Sequence, residues 1–352
     1  MENCSVVDLF CGVGALTHGF VLEGFSVVAG IDADEACKYA YEANNDGVRF
    51  IHRRIEDVTS EDISALYPER HVKVLVGCAP CQPYSTYTKK RKDRAKRWKL
   101  IPRFADLICE VEPDVVSMEN VPELATYRKG KIYRAFVDRL KEKGYCVTEK
   151  LEVYCPDYGI PQQRTRLVLF ASKYGYIEII SETRSPEEYE TVRRTIEHLK
   201  PLEAGETDKD DPLHKAASLS DLNLKRIKAS KPGGTWRDWP GKLVAECHKK
   251  ESGKSYSSVY GRMMWDEPAP TLTGQCYGFG NGRFGHPEQD RAISLREAAL
   301  LQTFPPDYEF VAPDDEVYIK VIGRLIGNAV PVELGRVIAR SIKRHLADHL
   351  KN

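Results

Sequence analysis

From Ser5 to about Ser172 the chain alternates short apolar runs with segments of helical period. Ser5–Phe10 reads as a buried strand, Cys11–Gly14 as a tight loop, and Ala15 to Glu23 as a helix stopped at Gly24. Ser26 to Asp32 is a second apolar strand, followed by a helix from Asp34 and a third short strand. Val72–Gly77, a helix near Arg103–Val111, Asp114–Met118 and a helix over Lys131–Lys143 continue the pattern, and strands near Cys146–Val153 and Thr165–Ala171 close it. Strands alternating with helices imply a mostly parallel, doubly wound α/β sheet. In such sheets ligands gather at the carboxyl ends of the strands, so residues just after each apolar run are the first candidates for chemistry.

Two of those ends carry reactive side chains. Cys78-Ala79-Pro80-Cys81-Gln82-Pro83-Tyr84-Ser85 follows Gly77, and Glu119-Asn120-Val121 follows Met118. A thiolate can add to an electron-poor ring, and a carboxylic acid can donate a proton to that ring as it gains electrons. The pair suits chemistry on a pyrimidine. Cys78 and Cys81 also form a C-x-x-C, which alone would suggest a redox dithiol or half of a zinc site, but no second C-x-x-C exists. Pro80 stiffens the turn before Cys81. Cys81 is read as the nucleophile and Cys78 as packing.

At the first strand end, Asp8-Leu9-Phe10-Cys11-Gly12-Val13-Gly14 places small residues where a backbone can approach a ligand at a helix N-terminus. Asp32 closes the second strand, placed to accept from ribose hydroxyls, and Asp57 offers an acceptor for an adenine amino group. The glycine spacing is not that of a dinucleotide site, since Thr17 stands where the third glycine would fall. A tight turn with a solvated Asp32 is the plain alternative, and Asp57 alone would be an ordinary loop acid.

Lys89 to Lys99 holds eight basic residues in eleven. Beside Cys81 it suggests a phosphate-contacting loop, although net charge is zero. Gln162-Gln163-Arg164-Thr165-Arg166 opens a strand, and strict alternation would put Arg164 and Arg166 on one face. From about Lys200 the texture becomes rich in Gly, Pro, Asp and Lys, with Trp236, Trp239 and Trp265. Helical period returns at Ser294, where Ser294-Leu295-Arg296-Glu297 matches a capping box. The last helix is expected from Pro331.

Three domain segments follow: 1–200, a catalytic and cofactor-binding domain; 201–290, a smaller inserted recognition domain of short strands and loops; and 291–352, a return segment. Ten scattered cysteines without disulfide spacing, no secretory signal, no apolar run long enough to span a membrane and no metal-ligand set give the expectation of a cytoplasmic monomer.

Taken together, these motifs resemble the DNA (cytosine-5)-methyltransferases of restriction-modification type, in the family's order over nearly the whole chain. Asp8–Gly14 is similar to the family's cofactor loop, Gly77–Ser85 to its nucleophile loop, Glu119–Val121 to its acidic motif and Gln162–Arg166 to its arginine motif. Leu295–Pro305 resembles its supporting helix and Ile326–Pro331 its C-terminal motif. The resemblance implies S-adenosyl-L-methionine held by Phe10, Gly12, Gly14, Asp32, Asp57, Pro80 and Asn328. It implies catalysis by Cys81, Glu119, Arg164 and Arg166, with no metal. It also implies contacts to double-stranded DNA from Gln82, Ser85, Lys89, Lys90, Arg91, Thr271 and Leu272. Where such an enzyme is half of a restriction-modification pair, an endonuclease is its functional partner. Ala33 departs from relatives that carry a larger side chain there. The rival readings are a tRNA cytosine-5 methyltransferase, a non-catalytic DNA-binding homologue and a nicotinamide dehydrogenase.

Overall fold

A computed structural model describes residues 3–80 and 99–350. Its centre is a seven-stranded sheet built from β1 (Cys4–Leu9), β2 (Ser26–Asp32), β3 (Arg49–His52), β4 (Val72–Gly77), β5 (Val115–Asn120) and β6 (Cys146–Tyr154), and completed after the two-residue β7 (Gln162–Gln163) by β8 (Thr165–Ser172). The order is β3-β2-β1-β4-β5-β8-β6. β1 pairs parallel with β2 and β4, β2 with β3, and β4 with β5. β8 is antiparallel to both β5 and β6, so it alone runs against the rest. A nicotinamide-binding sheet of the common doubly wound kind has no reversed strand at this place. The dehydrogenase reading is set aside on that ground.

The chain leaves β1 toward β2 and β3, then returns to lay β4 on β1's other side. The order therefore reverses between β1 and β4, and a crevice opens outside their carboxyl ends. β1 and β5 are buried at every residue, as continuous apolar runs covered on both faces should be. On one face the helix Leu100–Val111 turns Phe104, Leu107 and Ile108 into the core. Phe104 meets Phe136 at 5.8 Å between centroids, and the ring of Phe10 edge-on at 6.1 Å. On the other, the helices Ala15–Leu22 and Val332–His349 cross backbone to backbone. A Cβ on Gly19 would sit 2.7 Å from the amide nitrogen of Arg336, so only glycine allows the approach.

Contacts divide the chain into two units. The first is Met1–Tyr158, Thr165–Glu182 and Val330–Asn352; the second is Gly159–Arg164 and Thr183–Ala329. The second unit is larger than the expected 201–290 insert at both ends. It also corrects the expected texture. Among the described residues it is mostly loops and short helices, and its ladder is limited to β7 pairing with β9 (Ala269–Pro270) and a few isolated bridges. Its aromatics form a core of their own, with Trp236, Trp239, Val259 and Phe279 buried together. Arg226 is held between the rings of Trp239 and Tyr260, and its Nε donates to the Leu243 carbonyl at 2.9 Å. The Ser294 capping box is present, and its Glu297 also receives a bidentate pair from buried Arg291 at 2.7 Å each.

Asp8 is the most costly residue of β1. It is fully buried; Oδ2 accepts from the Thr17 hydroxyl at 2.8 Å, and Oδ1 has no hydrogen-bond partner. Burial pushes its carboxyl up from an ordinary 3.8 to about 7; the Thr17 bond opposes this and the charge of Asp32 adds to it. Between those two values the folded chain keeps a proton that the unfolded chain has released, so raising the pH across that window destabilises the fold. Above about 7 the effect is flat. Relative to Asp8→Asn, the wild type should lose on the order of 3–4 kcal/mol of unfolding free energy between pH 4 and pH 7. Urea melts of both proteins across that range check it; parallel curves would mean that Asp8 stays ionised in the fold.

Candidate active site

The loop after β1 passes through the left-handed region three times, at Phe10 (φ 61°), Gly12 (φ 53°) and Gly14 (φ 87°). Glycine takes that conformation freely, whereas Phe10 does so at a cost of roughly 1–2 kcal/mol. Two bonds hold it there: the Phe10 amide donates to the Ile31 carbonyl at 2.9 Å, and the Gly12 amide to Asp32 Oδ2 at 2.9 Å. Asp32 Oδ1 accepts from the Asp34 amide at 2.8 Å. Asp32 is therefore not the solvated acid of the plain alternative. Burial raises its carboxyl above the usual range, against the Asp34 and Gly12 bonds. A Cβ built on Gly12 would meet nothing within 4 Å. The loop borders open space at the switch point, beside a carboxylate with lone pairs to spare. Thr17, in place of a third glycine, supplies the hydroxyl that partly satisfies Asp8. Asp57 ends a short 3-10 turn, Ile55–Asp57, and is exposed.

Across the switch point, β4 ends at Gly77 and leads into Cys78, Ala79 and Pro80. Cys81, Gln82, Ser85, Lys89, Lys90 and Arg91 lie outside the described residues. β5 ends in Glu119 and Asn120, both 2 % exposed. Register places Glu119 opposite Val168 of β8, and Arg166 follows from that strand's start. Arg166 Nε lies 2.9 Å from Glu119 Oε1. The Cys78 thiol donates to Glu119 Oε2 at 2.6 Å. Reading Cys78 as packing is thereby corrected: it is a polar partner of the candidate acid. Asn120, absent from the expected site, donates through Nδ2 to the Ala79 carbonyl at 3.0 Å, while its Oδ1 accepts from the Val121 amide at 2.9 Å. Its place in Glu119-Asn120-Val121 was the one available signal.

The expected common face of Arg164 and Arg166 is not found. β8 begins at Thr165, and the Arg164 amide donates to the Gln162 carbonyl two residues back at 2.7 Å, a tight turn that breaks alternation. Arg164 belongs to the second unit, buried, with donors to Gln162 Oε1 and the Ala329 carbonyl. Gln162 is the junction of that unit. Its Nε2 donates to Gln302 Oε1 at 2.9 Å, and its Oε1 accepts from the Leu272 amide at 3.0 Å. Gln302 in turn donates to the carbonyls of Ile326 and Ala329. Thr271 donates to the Gln163 carbonyl at 2.6 Å. Leu272, expected at a DNA surface, is 1 % exposed; its side chain anchors the segment that carries Thr271. Asn328 ends the helix Ile319–Asn328, whose Gly327 lies against the Thr273 carbonyl.

The reversed strand, the buried acid–arginine pair and the glycine loop at a switch point define one kind of site. A family model described as C-5 cytosine-specific DNA methylase matches residues 4–344. The chain belongs to the C-5 cytosine-specific DNA methylases. Two curated relatives of this methylase span nearly its full length. One is the type II methylase M.HgiDII of Herpetosiphon aurantiacus, 60% identical over 97% of this chain and 96% of that protein. Another is the type II methyltransferase M.PspPI of a Psychrobacter species, 32% identical over 98% and 80%. A prophage-encoded chain of E. coli, described as a DNA modification methyltransferase, shares the fold at a TM-score of 0.74 and 21% identity, covering 98% of this chain and 99% of its own. As a DNA (cytosine-5)-methyltransferase, the protein acts on DNA and requires a methyl donor. No helix among the described residues is long and apolar enough to cross a membrane.

Proposed function

We propose that this methylase transfers a methyl group from S-adenosyl-L-methionine to C5 of a cytosine flipped out of a specific double-stranded DNA sequence, through a covalent bond between Cys81 and C6. The observation that carries the reading is the buried Glu119 at the carboxyl end of β5, held between Arg166 and Cys78 where the chain leaves β4 through Cys78, Ala79 and Pro80. C5 of cytosine is a poor nucleophile. Addition of the Cys81 thiolate at C6 turns the ring into an enamine, and Glu119 gives a proton to N3 as negative charge develops there. Arg166 has five donors; Nη1 donates to the Thr165 carbonyl and Nε forms an ion pair with Glu119, and the rest of the fork suits the base carbonyl O2. The open cradle at Gly12 and the carboxylate of Asp32 suit an adenosyl cofactor, with Phe10, Gly14, Asp57, Pro80 and Asn328 as its further contacts. When bound there, S-adenosyl-L-methionine supplies the electrophilic methyl that C5 accepts. The N3 proton then returns to Glu119, and loss of the C5 proton to solvent re-forms the C5–C6 double bond and expels Cys81 as the thiolate.

The base must leave the stack, at a cost of a few kcal/mol. The basic residues after Cys81, with Gln82, Ser85, Lys89, Lys90 and Arg91 among them, are the proposed phosphate and strand contacts. Residues 201–290, with Thr271 among them, are the proposed sequence reader. The names of the type II relatives support a paired endonuclease and a cytoplasmic site of action. Bisulfite sequencing of plasmid and chromosomal DNA from cells expressing the protein tests the reading. Protected cytosines in one recurrent sequence are expected. Unprotected DNA together with methylated tRNA would replace it with the RNA reading, and no methyl transfer to either would leave a non-catalytic homologue.

A further inference from the structure

Among the described residues each carboxyl oxygen of Glu119 has one holder, a charge at Oε1 and a thiol at Oε2. Arg166 Nε pairs with Oε1 by charge from β8, and the Cys78 thiol donates a hydrogen bond to Oε2 from the end of β4. Beyond Gly77↔Met118 the ladder between β4 and β5 stops, and two side-chain straps take over: Cys78 to Glu119, and Asn120 Nδ2 to the Ala79 carbonyl. The Cys78 amide also reaches back to the Leu9 carbonyl at 3.4 Å, tying the same residue to β1. Cys78 thus stands three residues before the nucleophile and directly on the acid.

We propose that Cys78 is a positioning residue for Glu119, its thiol fixing the carboxyl so that Oε2 faces the base while Arg166 anchors Oε1. This rests on the reading of Glu119 as the proton donor. A carboxyl oxygen offers two lone-pair sites, so Oε2 can hold the thiol on one and carry the transferred proton on the other. Without the thiol the carboxyl keeps only the Arg166 anchor and rotates about it, and proton delivery suffers from misalignment rather than from weaker binding.

The test is steady-state methylation by Cys78→Ala, Cys78→Ser and Cys78→Val, with melting temperatures and DNA affinity measured beside kcat and KM. Cys78→Ala and Cys78→Val should each lower kcat about tenfold while KM for DNA and for the methyl donor change less than about twofold. Cys78→Ser restores a donor and should recover most of the rate. Packing alone would give the opposite order, with alanine and valine near wild type and the half-buried hydroxyl worst, and that order overturns the proposal. Glu119→Gln is run in parallel, alone and combined with Cys78→Ala. Cys78 acting through Glu119 predicts that the double variant is no slower than Glu119→Gln. An active Glu119→Gln would remove the proton-donor reading itself. An inactive Glu119→Gln beside a fully active Cys78→Ala removes only the role of Cys78.

Discussion

Cys81→Ser should abolish methyl transfer, with a fall in rate of at least about three orders of magnitude, while fold and cofactor binding survive. The reason lies in the acidity of the two groups. A cysteine at neutral pH is a few per cent thiolate even without help, whereas a serine hydroxyl has almost no anion to offer and is a poor nucleophile toward C6. The exchange removes little volume and no charge, so stability should change by under about 1 kcal/mol. Initial rates with a tritiated methyl donor, melting temperature and calorimetric binding of S-adenosylhomocysteine separate the two effects. Turnover near the wild-type rate would remove the covalent mechanism. Denaturation of the variant would be met by Cys81→Ala, which keeps the prediction testable because it also lacks a nucleophile and adds no polar group.

The strands of the sheet were legible in the chain because buried parallel strands are continuous apolar runs, and their ends are set by glycine, acid or proline. The capping box at Ser294 was legible for a similar reason: its two hydrogen bonds are made between residues three apart. What could not be read were partners fixed at long range. Nothing in a C-x-x-C reveals that Cys78 bonds a glutamate forty-one residues later. Arg164 was assigned to the face of Arg166 by alternation, and one i to i+2 backbone bond at Gln162 undoes that assignment. The unit boundaries failed in an instructive way. Helical period returns at Ser294, and the helix Leu295–Leu301 is where it implies, yet it belongs to the second unit, together with the helix Ile319–Asn328, which no expectation covered. Periodicity marks which face of a helix is buried; it does not say against which core. At the other end, the polar segment before Lys200 hides Val192 and Ile196, which are buried in a short helix whose first amide bonds the Glu267 carbonyl. The glycine loop, expected as a ligand cradle, borders open space at Gly12 and holds Phe10 in the left-handed region. The residues that hold it, Asp32 through the Gly12 amide and Ile31 through the Phe10 amide, were visible only once β1 and β2 were side by side.

Glu119→Gln should lower kcat by about 10²–10⁴ with little change in DNA affinity. Glutamine has the length of glutamate and can still donate a hydrogen bond to N3, but it cannot hand over a proton. Its orientation is dictated by the neighbours: Arg166 is a pure donor, so the amide oxygen must face it, and the amide nitrogen then points at the sulfur of Cys78, a weak acceptor. The geometry is kept while the chemistry is lost. The charge is lost too, which leaves the largely buried Arg166 without its anion, so a lower melting temperature accompanies the rate defect. Glu119→Asp separates these contributions. It retains the anion and the acid but shortens the side chain by one methylene, drawing the carboxyl away from both holders. If Glu119 delivers the proton, aspartate should also be slow, because proton transfer needs the donor within hydrogen-bond reach of N3. If Glu119 only balances the charge of Arg166, aspartate should recover both stability and rate. A glutamine variant that is less stable yet turns over normally would likewise assign the residue to the ion pair. The proton-donor reading requires the rate to fall in both variants and to fall far more than the stability does.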